Sequence, residues 1–472
     1  MSPLAFLRNS WRWLTSMRTA LILLFLLAVA AIPGSVLPQR SVKMEDVRGY
    51  FDANPKLAPV LDRLWAFDVF ASPWFSAIYL LLFTSLIGCV VPRLRDQVRA
   101  LRKPPPDAPM RMQRLPAYAK LDSHPEPQLK GWRVRRREHP DGTVTIAAER
   151  GYLKETGNLL FHTALLLVLV GVGIGTQWGW HANRLLVQGS DQAFCNTLQQ
   201  YDDYGLGPRV SASDLPRFCL ELNDFDVSYE DNGVPKFFDA TVNGGLSFSV
   251  NRPLRLDGAN VYLLGQGYAL EIRYTDAQGR TQTTVSPFLP VDGMLTSEGV
   301  AAFPDANGSD KTKQIGFEGL YLPTASMGRS THPAENDPQL ILLAYSGDLG
   351  LDAGLAKSVY TLDKDRLKQM GEAKILRKGE SWTLEDGSRV EFLGTRPWIT
   401  ISVRHDPGTP IVLAGAALLV IGLPLSLYGR RRRVWWRLHP DGSAEAGGLP
   451  KTDYPGFAEE FARLTRCPTT SS

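Results

Sequence analysis

One histidine stands inside a long apolar run: His162, in Gly157-Asn158-Leu159-Leu160-Phe161-His162-Thr163-Ala164. An ionisable side chain in lipid is costly and reads as functional by default. Imidazole is the usual axial ligand of haem iron, and a neutral site in lipid suits a flat, apolar macrocycle. Two bland readings stand beside that one: a neutral ring hydrogen-bonded to a neighbouring helix, or a ring that snorkels to the inner interface. A helix opening at residue 158 places the ring roughly 6 Å past its start, at about 1.5 Å per residue. No other histidine lies in an apolar run, so a second axial ligand has to come from elsewhere.

The remaining reactive residues say less. The four cysteines include no CxxC or CxxCH pair, which leaves a zinc ribbon, a thioredoxin-type centre and covalently held c-type haem without support. Cys195 and Cys219 would close a loop of about 25 residues, and in an oxidising compartment they read as a disulfide. The alternative is two free thiols doing exchange chemistry, for which no activating cation pair is nearby. Cys89 reads as an ordinary membrane cysteine, and Cys467 sits in a polar tail. His139 and His439 each precede Pro-Asp-Gly and read as turn residues, too few for a metal site. His181 and His405 fall near the outer ends of two apolar runs and read as surface or interface residues. No acid–base or nucleophilic triad is visible.

Four apolar runs must position His162: residues 19–37, 74–91, 158–180 and 409–428. None contains Asp, Glu, Lys or Arg, and each has close to the ~20 residues a helix needs to cross a bilayer. The first also admits a cleaved signal peptide, with Arg8, Arg12 and Arg18 as its charged start and Ala28-Val29-Ala30 as its cleavage site. Lys and Arg crowd one side of the membrane: Arg8, Arg12 and Arg18, then Arg93 to Lys103, Arg150 with Lys154, and Arg430 to Arg433. The positive-inside rule therefore places both termini in the cytoplasm. Trp74, Trp178, Trp180 and Trp398 read as an aromatic belt at the outer boundary.

The expected order is a cytoplasmic N-terminus (1–18), helix one (19–37), an outer loop with a short amphipathic helix (38–73) and helix two (74–91). A basic cytoplasmic segment (92–157), helix three (158–180), an outer domain (181–408), helix four (409–428) and a cytoplasmic tail (429–472) follow. The outer domain alternates in strand fashion at 246–250, 260–265, 268–274, 339–345 and 389–394. One helical stretch is expected near Lys364 to Gly371. Residues 132–142 echo residues 434–442, and both read as strands ending in a Pro-Asp-Gly turn that could share one small sheet. The fold class is an α+β membrane protein: about four transmembrane helices, a large extracytoplasmic antiparallel β domain, sandwich-like, and a small cytoplasmic β element. With 472 residues more than one unit is expected, and a net charge of only +4 does not imply nucleic acid.

Five blocks, in this order and spacing, resemble the ResB (CcsB) proteins of System II cytochrome c biogenesis. They are LTSMRTALILLFLLAVAAIPGSVLPQ (14–39), FDVFASPWFSAIYLLLFTSLIGCVVPR (67–93), RGYLKETGNLLFHTALLLVLVG (150–171), VNRPLRLDGANVYLLGQGYA (250–269) and VEFLGTRPWITISVRHDPG (390–408). The resemblance covers nearly the whole chain. It implies a haem-handling subunit of a cytochrome c synthetase, helping to move haem across the membrane and present it to the CxxCH cysteines of apocytochrome c. It implies a non-catalytic or co-catalytic role within a holocytochrome c synthase (haem lyase) complex. The implied partners are a ResC/CcsA-type membrane protein, apocytochrome c, thiol-reducing proteins and the lipid bilayer. In that family the histidine of helix three is an axial ligand of haem b at a site shared with the partner, and His162 falls on its position. The implied location is a bacterial plasma membrane, multi-pass, with no chloroplast transit region. The competing expectation is a haem-free membrane-anchored chaperone or scaffold whose outer domain binds protein.

Overall fold

The computed structural model describes residues 3–40, 44–121, 127, 129–190, 193–306, 313–350, 362–451 and 454–466. It is an α+β chain in two compact units, residues 1–175 with 407–472, and residues 176–406.

The first unit carries the long helices. α1 (Pro3–Leu14) precedes α2 (Met17–Val36), which Ser16 caps by accepting from the Thr19 N–H at 3.2 Å. α3 (Met44–Ala53) and α4 (Ala58–Arg63) fill the segment where one short helix is expected. They fold around Val47, Ala58 and Phe67. α5 (Pro73–Arg102), α6 (Leu153–Trp178) and α7 (Thr409–Tyr428) complete the set, and α2, α5, α6 and α7 are each long and apolar enough to cross a membrane. α5 begins sharply because Ser72 caps it and Pro73 supplies a first position that needs no N–H partner.

Small residues let α6 and α7 approach closely. A Cβ on Gly157 would come within 2.6 Å of the Leu425 Cβ, and one on Gly422 within 2.8 Å of the Phe161 backbone nitrogen. Gly171 meets Val412 and Gly415 meets Val168 in the same way. Helices in lipid gain their association from such backbone approach, since hydrocarbon offers no hydrophobic drive.

A five-stranded antiparallel sheet completes this unit, in the order β1 (Ala117–Leu121), β24 (Ala444–Pro450), β23 (Arg432–Leu438), β3 (Val144–Arg150), β2 (Arg133–Glu138). The two Pro-Asp-Gly hairpins are β2–β3 and β23–β24, and they join through β3 and β23, with Leu438 opposite Val144. Trp436, Ile146 and Ala446 form the core, and α8 (Phe457–Thr465) closes it with Phe461.

The second unit is antiparallel sheet. A seven-stranded sheet has the main order β11 (Leu254–Leu256), β12 (Ala259–Thr275), β22 (Arg389–His405), β4 (Trp180–Val187), β6 (Asp203–Leu206). β13 (Thr281–Pro287) and β21 (Ser381–Thr383) pair with it at β12 and β22. A five-stranded sheet runs β14 (Leu289–Pro290), β15 (Ser297–Phe303), β16 (Gln314–Leu322), β19 (Gln339–Gly347), β20 (Leu367–Leu376). These two sheets share a core containing Leu270, Phe288, Phe317 and Phe392. β8 (Leu222–Tyr229), β9 (Pro235–Val242) and β10 (Leu246–Ser249) form a third sheet. Two short pairs remain, β5 (Phe194–Cys195) with β7 (Cys219–Leu220), and β17 (Ala325–Ser326) with β18 (Arg329–Ser330).

Three expectations are corrected. The stretch from Lys364 to Gly371 is one 3-10 turn, Lys364–Arg366, followed by β20, because its backbone bonds go to β19. The strands expected at 260–265 and 268–274 are one 17-residue strand, β12, which runs along β22 with register shifts at Leu263/Gly265 and Glu271/Ile272. Trp180 and Trp398 are core residues rather than interface anchors, 5% and 3% exposed, and the Trp398 indole donates to the Phe288 carbonyl at 3.2 Å.

Candidate functional site

His162 lies deeper in its helix than the apolar run implies. α6 starts at Leu153, nine residues earlier, which puts the ring about 13 Å from the helix start rather than 6 Å. Lys154 and Glu155 end the apolar run but not the helix, so hydropathy alone sets the boundary too late. The imidazole is half-buried. Its Nδ1 stands 2.7 Å from the carbonyl oxygen of Asn158, one turn back. A carbonyl only accepts, so Nδ1 donates, and in the neutral ring that leaves the lone pair on Nε2. Phe161 meets the ring edge-on, with centroids 5.5 Å apart.

The helix face decides where Nε2 is offered. Gly157, Phe161, Ala164, Val168 and Gly171 meet α7. His162 sits one residue, about 100°, round from Phe161 and belongs to a different stripe. α5 touches α6 on either side of that level: Tyr79 donates to the Leu169 carbonyl at 2.5 Å, and Gln97 donates to Thr156 at 3.3 Å. An imidazole fixed through Nδ1 to a backbone carbonyl, with Nε2 open, is the arrangement in which histidine binds a metal, since the bonded N–H sets tautomer and ring orientation. A planar apolar group with one axial position to fill fits this donor. No cluster of three or more His, Cys, Asp or Glu side chains exists among the described residues.

A charged cluster escapes sequence reasoning altogether. Glu149, at the end of β3, is fully buried and meets Arg431 at 2.6 Å and Arg433 at 3.1 Å. Tyr152 donates to the same carboxylate at 2.5 Å, and the Arg431 guanidinium lies 4.6 Å from the Tyr152 ring centroid. Arg431 also pairs with Glu155 of α6. Burial alone would raise the Glu149 pKa, but the bonds from Tyr152 and Arg431 outweigh it and hold the carboxyl below its ordinary value. The cluster ties the start of α6 to the chain leaving α7. The only signal for it is a Glu-Arg-Gly-Tyr run before one apolar segment and an Arg run after another.

The other residues singled out by sequence lie apart from His162 in the chain and form no second site among the described residues, although two of the cysteines pair. Cys195 and Cys219 are opposed on β5 and β7 and joined by a disulfide, S–S 2.00 Å, with a sequence separation of 24. Cys89 is a free thiol that donates to the Thr15 carbonyl at 2.7 Å, and Cys467 lies outside the described residues. His405 faces Trp180 across β22 and β4, whereas His181 faces Arg404. Neighbouring strand residues point to opposite faces, so the two rings are kept apart. His405 bonds the Gly258 carbonyl at 2.8 Å. His139 bonds Thr145 at 3.0 Å beside its turn, and the His439 N–H bonds the Ser443 carbonyl at 2.9 Å to close the twin turn.

Known proteins align with this chain over nearly all of its length. The chain is similar to a cytochrome c biogenesis protein CcsB of Synechococcus sp. (strain RCC307), 27% identical over 96% of this chain and 95% of the relative. A protein of the same name from Synechococcus sp. (strain WH7803) is 26% identical, with 96% of each chain covered. One from Prochlorococcus marinus (strain NATL2A) is 24% identical, again with 96% of each covered. The family model described as ResB-like matches residues 17–462, which takes in all four long apolar helices, the buried Glu149–Arg431 cluster and His162; the chain belongs to the ResB-like family.

Proposed function

We propose that this protein acts in cytochrome c biogenesis as a haem-handling membrane subunit, with His162 as one axial ligand of haem in a site completed by a second membrane protein. The observation that carries the reading is the His162–Asn158 hydrogen bond, which engages Nδ1 and leaves Nε2 as the ligating nitrogen, on a stripe of α6 away from α7. The relatives named cytochrome c biogenesis protein CcsB supply the pathway.

When bound, haem would supply a redox-active iron and, on its porphyrin ring, the vinyl groups to which cysteine thiols add. The chain's own residues do simpler things. Asn158 fixes the imidazole tautomer. His162 would hold the iron through its imidazole and so tune its potential. The bilayer and apolar neighbours exclude water. On this proposal a partner of the ResC/CcsA type would supply a further ligand. In this reading the sheet of β1–β3, β23 and β24 is cytoplasmic, and the second unit is a sandwich-like extracytoplasmic domain that receives apocytochrome c. The placement rests on the excess of Lys and Arg flanking the spans on one side.

The test is the His162→Ala chain co-expressed with its partner. The absorption spectrum of the purified complex should lose most of its Soret band, and added imidazole should restore part of it. Unaltered haem content and cytochrome c yield would reject the assignment.

A further inference from the structure

Helix α1 is amphipathic. On a helical wheel Leu4, Phe6, Leu7, Trp11, Trp13 and Leu14 occupy one side, and Arg8, Asn9 and Arg12 the other. None of its residues is buried: Leu4 is 78% exposed and Trp13 67%. An exposed apolar face of this size needs a covering.

Its anchoring defines where that covering is found. Ser85 of α5 donates to the Leu14 carbonyl at 2.6 Å, and Cys89 donates to the Thr15 carbonyl at 2.7 Å. Thr19 donates to the Trp13 carbonyl at 2.6 Å, closing the corner between α1 and α2. One turn further along α5, Arg93 reaches the Met17 sulfur at 2.9 Å. Ser85 and Cys89 belong to the apolar part of α5, and Arg93 opens its basic part with Arg95, Arg99 and Arg102. Four residues of helix span about 6 Å. The end of α1 is therefore held at the level where α5 leaves the hydrocarbon.

Charge and continuity select the occupant. No acidic residue precedes Glu45, while Arg8, Arg12 and Arg18 lie in or beside the corner. The apolar face runs on, through a two-residue turn, into the membrane-spanning α2. We propose that α1 lies in the membrane–water interface, its tryptophans at the acyl–headgroup boundary and Arg8 and Arg12 on anionic phospholipid headgroups. Aromatic residues on the apolar side with arginines on the other are the composition of a helix that lies on a bilayer.

The full-length chain in nanodiscs of phosphatidylcholine, with or without phosphatidylglycerol, tests this. The fluorescence difference between the wild type and W11F/W13F isolates the two α1 tryptophans. Brominated acyl chains should quench that difference, and aqueous iodide should not. R8Q/R12Q should lower the preference for phosphatidylglycerol in the lipid retained by the purified chain, by up to roughly fivefold per arginine. Iodide quenching without any effect of brominated lipid would overturn the proposal, as would an unchanged lipid preference. Shielding of the tryptophans only when a partner protein is added would also overturn it, making the face a protein dock.

Discussion

The Nε of Arg431 donates to the Oε1 of Glu149 across 2.6 Å, with both side chains shut off from solvent. The pair joins the strand entering α6 to the strand leaving α7. Removing one partner leaves an uncompensated charge in a dry site, which costs about 3–5 kcal/mol. R431M should therefore lower the unfolding midpoint sharply in detergent, even with Arg433 remaining near the carboxylate. The double variant E149Q/R431M should recover part of that loss, because the fully buried carboxylate charge is removed, while Arg433 and Glu155, nearer solvent, lose a partner. A double variant no better than R431M would show that the arginine acts through packing on Tyr152 alone.

The same carboxylate sets an acid limit. Glu149 has a folded pKa below its ordinary 4.5, and Glu460, beside Arg432 and Tyr454, is lowered too. A group depressed on folding contributes its full stability above the unfolded pKa and loses it as pH falls through the folded one. Stability should be flat near neutrality and fall below about pH 4.5. In E149Q the fall should be shallower. Thermal melts from pH 7 to pH 3 in one detergent check this, and parallel curves for wild type and E149Q would contradict it.

Four apolar spans and the family were legible from sequence because both are carried by long contiguous patterns. The boundary of α6 was not, since Lys154 and Glu155 interrupt hydropathy without interrupting the helical hydrogen bonds. Gln266 and Gly267 read as the gap between two strands. In the fold Gly265 adjoins a register shift, and Gly267 gives room for the Trp398 ring, so the strand continues. Indoles near the end of an apolar run read as interface anchors, and only the fold shows Trp180 and Trp398 to be core. His162 was visible as a position; the proton on Nδ1 depends on a rotamer that only coordinates give. Glu149 and Arg431 are 282 residues apart, beyond any local pattern.

The close approach of α6 and α7 predicts a selective sensitivity. At Gly422 any side chain meets backbone of α6, at 2.8 Å from the Phe161 nitrogen and 3.0 Å from the Gly157 carbonyl. Backbone cannot rotate away, so Gly422→Leu must push the helices apart, costing about 1–3 kcal/mol. Val420, on the exposed side of α7, is the control, and Val420→Leu should be neutral within about 0.5 kcal/mol. Because Phe161 adjoins His162, the Gly422 variant should also weaken haem retention in the complex while V420L does not. Equal retention in both would separate the α6–α7 seam from the haem site.

The disulfide predicts an effect confined to the second unit. Cys195 and Cys219 bracket a segment that includes β6, which contributes four residues to the edge of the seven-stranded sheet. Closing a loop of that length removes unfolded-state entropy worth about 3 kcal/mol. C195A/C219A should therefore expose residues 196–218 to limited proteolysis before the rest of the unit. Tyr201 buries its hydroxyl on Asn196 at 2.5 Å, and the Asn196 side chain bonds the Pro216 carbonyl at 2.7 Å, so part of the loop should stay ordered. Adding N196A to the cysteine variant should accelerate cleavage further, whereas N196A alone, with the disulfide intact, should have little effect. Cleavage of N196A at the rate of the cysteine variant would show that the hydrogen bonds, and not the cross-link, hold this edge.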